Sequence, residues 1–313
     1  MKISFLLFSL LLWCGNAYGA IYVKVPSTPV WLTPPDGFEL TNKFSGFINK
    51  TTQGSILVIS FPGKLNNKAM EIYQNAGQFK KAMLAENFII QDEKLLKTTE
   101  GQDLTLYHGI QKADNAQFEK WVTMIISQDG AYIVTLQTPE NAPIPDKVSD
   151  SVFKSIKISQ TTSLKEQLDV LPFSFKSLAP FIPLNTLAGN SVLLSTFDSQ
   201  HSDDRPSIVI SESIEVLPVS SSDQAMRLYL ASIANSFSLT HVNSNESVMF
   251  AGYKGVKLSG NARYGGKDVE MIIYASLTKT GKAIFFHVTA PKGTLKSYQA
   301  TISEIAQSVN VLR

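Results

Sequence analysis

The chain has one cysteine in 313 residues, Cys14. Everything after it can build neither a disulfide, nor a cysteine metal site, nor a thiol nucleophile. An excess of either charge is also missing. Twenty-eight basic residues stand against 26 acidic ones, a net charge of +2, which makes no electrostatic case for nucleic acid or a charged membrane surface. Past the first twenty residues no stretch reaches the ~18 apolar residues that a membrane-spanning helix needs. Gly-x-Ser-x-Gly, phosphate-loop and dinucleotide fingerprints do not occur, and the four histidines form no His-x-x-x-His pair.

What is present is globular: 44% hydrophobic and 17% charged residues, enough to fill real cores at a length suited to two domains. Residues 1–20 read as a secretion signal. Lys2 supplies the positive end, Phe5 to Trp13 a short apolar run, and Ala17 and Gly19 the small residues of a cleavage site near Gly19–Ala20. The expected address is periplasmic or secreted. Lipid anchoring at Cys14 is disfavoured, because bulky Trp13 precedes it where that motif wants a small residue.

The rest reads as one pattern written twice. Pro34-Pro35-Asp36-Gly37 is a turn, and Phe38-Glu39-Leu40 and Phe44 to Ile48 are short strands. Ser55 to Phe61 reads as an interior strand. From Asn67 to Glu86 the period turns helical, with Ile72, Ala76, Phe79 and Met83 on one stripe. Strands follow at Phe88–Gln91 and beyond, Leu104–Lys112, Phe118–Ser127 and Ala131–Thr138, the last two joined at Asp129-Gly130. Pro145-Asp146 opens a closing helix. Polar Ser159 to Ser163 is the linker candidate. The second copy then runs from Ile208–Ser211 through a helix from about Asp223, capped by Ser222 or Asp223, to a last helix with Leu295, Tyr298, Ile302, Ile305 and Val309 on one face.

Two glycine-bearing strands, Tyr107-His108-Gly109-Ile110 and Tyr253-Lys254-Gly255-Val256, stand 146 residues apart. Val269–Ile273 follows Val122–Ile126 by 147, Pro291 follows Pro139 by 152, and Ser308-Val309 follows Ser155-Ile156 by 153. This predicts an α+β fold in two tandem copies, each an antiparallel sheet flanked by helices. The expected limits are 21–160 and 161–313, with Gly109 and Gly255 at equivalent points.

That element order, with a glycine-bearing strand after the first helix, a hairpin and a last helix ending in Ser-Ile or Ser-Val, resembles the PsbP-like fold. The Pro-Asp-Gly-Phe start followed by Phe44-Ser45-Gly46-Phe47 is similar to secreted bacterial proteins built on it, as are DcrB-type periplasmic proteins. The resemblance implies a scaffold shared by binding and assembly modules, with no reaction attached.

Three constellations invite chemistry. Ser151-Val152-Phe153-Lys154, Ser259-Gly260-Asn261 and Lys279-Thr280-Gly281 match, in order, the signatures of serine β-lactamases and penicillin-binding proteins. A serine hydrolase would use Ser151 as nucleophile and Lys154 as base, but the three motifs straddle both copies and each is accounted for by the repeat. Asp198, His201, Asp203 and Asp204 carry metal-ligand atoms, yet lack calcium-loop spacing and read as a solvated loop. His108 and His287 sit in strand patterns. The sequence therefore predicts no catalytic, cofactor or metal residues. It predicts a non-enzymatic exported module for a protein or envelope component, with a serine hydrolase or a carrier of a small apolar ligand as alternatives.

Overall fold

A computed structural model describes residues 21–62, 75–85, 87–113, 116–127, 130–159, 162–196, 205–234 and 236–312. The expected signal, Cys14, residues 67–74 and 86 of the expected first helix, Asp129, the middle of the linker candidate and the Asp198–Asp204 cluster lie outside the described residues.

Two seven-stranded antiparallel sheets dominate. The first contains β3 (Glu39–Leu40), β4 (Gly46–Ile48), β5 (Ser55–Pro62), β6 (Phe88–Lys97), β7 (Asp103–Ala113), β8 (Ala116–Ser127) and β9 (Gly130–Pro139), in the order β3-β4-β5-β9-β8-β7-β6. The second contains β12 (Phe181–Leu187), β13 (Ser191–Thr196), β14 (Ser207–Glu212), β15 (Phe237–Phe250), β16 (Tyr253–Tyr264), β17 (Lys267–Leu277) and β18 (Ala283–Pro291), in the order β12-β13-β14-β18-β17-β16-β15. Strand for strand, these are one topology twice. Among the described helices are α1 (Ala76–Ala85), α2 (Asp146–Lys154), α3 (Leu164–Leu168), α4 (Ser222–Ile233) and α5 (Leu295–Ser308).

Each sheet buries both faces, which is why β9 and β18 are almost continuously apolar. In the first repeat, Val152, Phe153 and Ile156 at the end of α2 pack on Leu104, Leu106, Trp121, Ile125, Val134 and Leu136. On the opposite face Phe79 of α1 meets Phe88, Tyr107, Val122 and Ile133. In the second repeat Ile302, Ile305 and Val309 take the place of the α2 residues. Ala225 and Met226 of α4 cover the other face. Burying a large aliphatic or aromatic side chain contributes roughly 1.5–3 kcal/mol, so these four layers are what hold the fold.

The Ser-Ile and Ser-Val pairs have a structural task. Ser155 Oγ donates to Val152 O (2.6 Å) and accepts Thr33 N (2.8 Å). Ser308 Oγ donates to Ile305 O (2.6 Å) and accepts Lys176 N (2.8 Å). Each hydroxyl thus closes a helix end and fastens it to the strand that opens its repeat. Beside these latches β2 (Val30–Leu32) pairs with β1 (Val23–Lys24) and β10 (Lys157–Ile158), and β11 (Phe173–Ser174) with β19 (Asn310–Val311).

Some local expectations are corrected. The cap of α4 is Ser221, whose side chain accepts from Gln224 N. Ser222 instead donates to Lys254 O and accepts Leu277 N, tying the helix to β16 and β17. Phe237, which continues the helical spacing of Met226, Tyr229 and Ile233 in the sequence, opens β15 instead of extending α4. The described ends of the linker candidate are tied down: Ser159 Oγ accepts Trp31 Nε1 at 3.0 Å, and Ser163 forms a capping box with Glu166 on α3.

The repeats touch on the β3–β5 and β12–β13 side. Ser45 N donates to Ala188 O at 2.6 Å, buried Asn185 donates to Ser60 O at 3.1 Å, and Lys43 pairs with Glu215. β6 and β15 are the opposite edges of their sheets, away from this junction.

Candidate functional site

The register places the repeated glycines differently from the sequence match. Pro139 and Pro291 end β9 and β18 alike, each carbonyl accepting the N–H three residues on, of Ala142 and Thr294. Pro139 stands opposite Phe118, and Pro291 opposite Val269. Counting inward, Lys120 corresponds to Met271, and their partners across β7 and β16 are Gly109 and Gly260. A bulge confirms it. β6 shifts register between Ile90 and Asp92 beside Gly109, and β15 shifts between Val242 and Ser244 beside Gly260. Gly255 lies on the other face of its strand, since Val256 and Leu258 pack towards α4. The strands are equivalent, and the expected pairing of Gly109 with Gly255 is wrong by five residues.

The glycines are needed where they are. A Cβ at Gly109 would overlap the carbonyl of Ile89, and one at Gly260 the carbonyl of His241. Both carbonyls belong to the outermost strand. The glycine lets the bulged edge strand fold in against its neighbour.

Those outermost strands are the most distinctive surface. β6 has ten residues and β15 fourteen, and among the described residues each pairs on one side only. Leu95 on β6 is 81% exposed and Met249 on β15 is 66% exposed; Ile89, Leu239 and Val242 are also in solvent. An open edge of this length presents a row of free N–H and C=O groups to any strand that can pair with it. Along β6 a groove of about 350 Å³ runs beside α1, lined by Leu84, Phe88, Ile90 and Asp92 among others.

Inside the sheets, three titratable groups stand out. Lys120 lies half-buried on the α1 face of β8, between Gly109 and Gln137. No carboxylate pairs with it among the described residues, and burial brings its pKa down to about 8. His287 on β18 is buried, its ring edge-on to those of Tyr229 and Phe237. Burial drives its pKa to about 4 and raises that of Tyr229. The neutral ring and the protonated tyrosine share a hydrogen bond at Nδ1, 3.0 Å from the Tyr229 hydroxyl, and Nε2 lies 3.3 Å from Thr289 Oγ1. His108 stacks on Trp121 with ring centres 4.9 Å apart and meets Glu119 at 2.9 Å.

The structure disperses the hydrolase motifs. Ser151 and Lys154 are exposed on α2, with no hydrogen bond between their side chains among the described residues. Ser259 pairs with Ser244 at 2.8 Å on β16. Thr280 bonds Thr278 at 2.9 Å in the turn after β17. No group of three or more His, Cys, Asp or Glu able to hold a metal occurs among the described residues. No helix among them is long and apolar enough to cross a membrane. The junction between the repeats is lined by Ser27, Ser45 and Asn185, polar groups already hydrogen-bonded, where an apolar ligand was an alternative.

Over part of its length the chain is similar to solved PsbP-like structures. The cyanobacterial PsbP (CyanoP) of Synechocystis sp. PCC 6803 is 16% identical over 45% of this chain and 86% of its own, with a TM-score of 0.33. LpqN, involved in cell envelope biogenesis of Mycobacterium tuberculosis, is 10% identical over 45% and 83%, with a TM-score of 0.36. The T6SS immunity protein TplEi of Pseudomonas aeruginosa aligns along both repeats, at 10% identity over 95% and 98%, with a TM-score of 0.29. No protein-family model matches the chain, and no curated protein does.

Proposed function

We propose that this protein is an exported, non-catalytic tandem module that binds a protein partner of the cell envelope through the open edges of its sheets. One observation carries the reading: among the described residues the same long edge strand pairs on one side only in both repeats, with large apolar side chains in solvent on each. An open edge holds an added strand by main-chain hydrogen bonds, with side chains supplying selectivity. Each repeat thus offers one edge able to hold an added strand. Residues 1–20, with their positive end, apolar run and small-residue cleavage site, supply the route to the envelope.

The test is retention from envelope fractions of the source cell. The bait is the native chain, set against a variant carrying Leu95→Lys, Leu239→Lys and Met249→Lys with an unchanged circular dichroism spectrum. The reading expects a partner held in stoichiometric amount by the native chain and lost by the variant. Equal retention by both, or no partner on the native chain, overturns it.

A further inference from the structure

We infer that β6 is the edge on which a second copy of this chain docks, in a two-fold antiparallel pairing centred on Leu95. The inference rests on reading the open edges as interaction surfaces, and it assigns β6 to self-association while leaving β15 to the partner.

The faces of β6 follow from its register. Past the bulge, Glu93 stands opposite Tyr107, Leu95 opposite Thr105 and Lys97 opposite Asp103. Tyr107 packs with Phe79 of α1, so Glu93, Leu95 and Lys97 share the α1 face. Asp92, Lys94 and Leu96 share the other face, where Lys94 pairs with Asp150 of α2 and Leu96 joins the α2-side core.

When a strand pairs with its own copy about a two-fold axis normal to the sheet, opposed residues come from the same face. The axis must then pass through a residue. Through Glu93 it would set carboxylate against carboxylate, and through Lys94 ammonium against ammonium. Like charges directly opposed are destabilising. Through Leu95, each Leu95 meets its own copy, and Glu93 faces Lys97 of the other chain on either side. The most exposed apolar side chain of the strand is covered and both flanking charges are matched in one register. The partners these charges already have, Lys80 at 2.6 Å from Glu93 and Asp103 at 3.3 Å from Lys97, lie on the same face and extend the pair into an alternating row of charge. β15 has no such register. Glu246 is its one Asp, Glu, Lys or Arg, so no pair of opposite fixed charges lies along it for such an axis to match.

Sedimentation velocity of the purified full chain over a concentration series tests this without any partner. The native chain should pass from monomer to dimer. Glu93→Lys alone and Lys97→Glu alone set like charges opposite each other and should each weaken dimerisation by about tenfold or more. The double exchange Glu93→Lys with Lys97→Glu restores the match and should return the dimer, which a folding defect would not do. Leu95→Cys, with Cys14→Ser, should oxidise to a covalent dimer, because directly opposed residues hold their Cβ atoms about 4.5–5.5 Å apart. A native chain that stays monomeric throughout overturns the dimer, and leaves partner retention to judge the wider reading. A dimer indifferent to all the charge variants, or open polymers from unlike edges joining, overturns the β6 pairing.

Discussion

Replacing Lys120 by methionine removes one ammonium from the α1 face of the first sheet and installs what the second repeat carries at that point, Met271. Burial lowers the pKa of Lys120 from 10.5 to about 8. Keeping the group charged at pH 7 therefore costs the folded state about 3 kcal/mol relative to the unfolded chain. Methionine fits the same apolar surroundings without that cost, so Lys120→Met should stabilise the protein by about 2–3 kcal/mol, or roughly 5–10 °C in melting temperature for a unit of this size. The pH dependence supplies a second arm. Below pH 8 lysine is charged in both states and the whole penalty stands. Between about 8 and 10.5 the folded protein has lost the proton while the unfolded chain still binds it, so native stability rises with pH; above that the penalty is gone. The variant lacks that rise. Urea unfolding followed by tryptophan fluorescence at pH 7 and pH 10 measures both. A variant no more stable than the native chain at pH 7, or one with the same rise on alkalinisation, refutes the reasoning.

Acid should act through His287 in the second repeat. Its pKa is about 4 in the folded protein, against about 6.5 unfolded. The unfolded chain therefore takes up a proton first, and stability should fall by about 3 kcal/mol as pH drops from 6.5 through 4. In His287→Gln, urea midpoints at pH 7 and pH 4 should lose that difference. Gly109→Ala and Gly260→Ala should each cost about 1–3 kcal/mol, because an added Cβ meets a backbone carbonyl and the sheet must open. Amide exchange should rise in β6 for the first and in β15 for the second. Equal exchange in native and variant chains would count against the glycine pairing drawn from the register.

The duplication was legible because its signals are strong ones. Helical stripes such as Leu295, Tyr298, Ile302, Ile305 and Val309, and apolar strands such as Ile208–Ile210, announce type and order. The register was not. A strand repeats every two residues, so a match of Tyr-x-Gly with Tyr-x-Gly slides along an apolar strand at little apparent cost, and an odd slip exchanges the two faces. Gly109 and Gly255 show this. The true partner, Gly260, sits in Ser-Gly-Asn, letters that suggested an active-site motif. The loop after β17 runs from Thr278 to Lys282, whereas Ser127 and Gly130 nearly meet across theirs, and that single added residue carries the repeat spacing from 151 to 152. The short strands β10, β11 and β19 escaped notice because two residues cannot display a period. The edge character of β6 and β15 was invisible for another reason: it depends on which strand stands last, a property of the assembled sheet. Of the candidate site, the sequence displays Glu93 and Lys97 as charges on either side of Leu95. Their arrangement on one face became readable only once the bulge at Ile90 and Asp92 fixed the parity.

The hydroxyls of Ser155 and Ser308, with the short pairs beside them, bring the start and finish of each repeat side by side. A unit whose two ends meet can be copied in tandem without disturbing its interior, because the joining segment leaves from the spot where the chain came in. Doubling such a gene makes a second working copy in one step. The same geometry implies that either repeat should accept a new start within one of its turns, with its native ends joined across the latch.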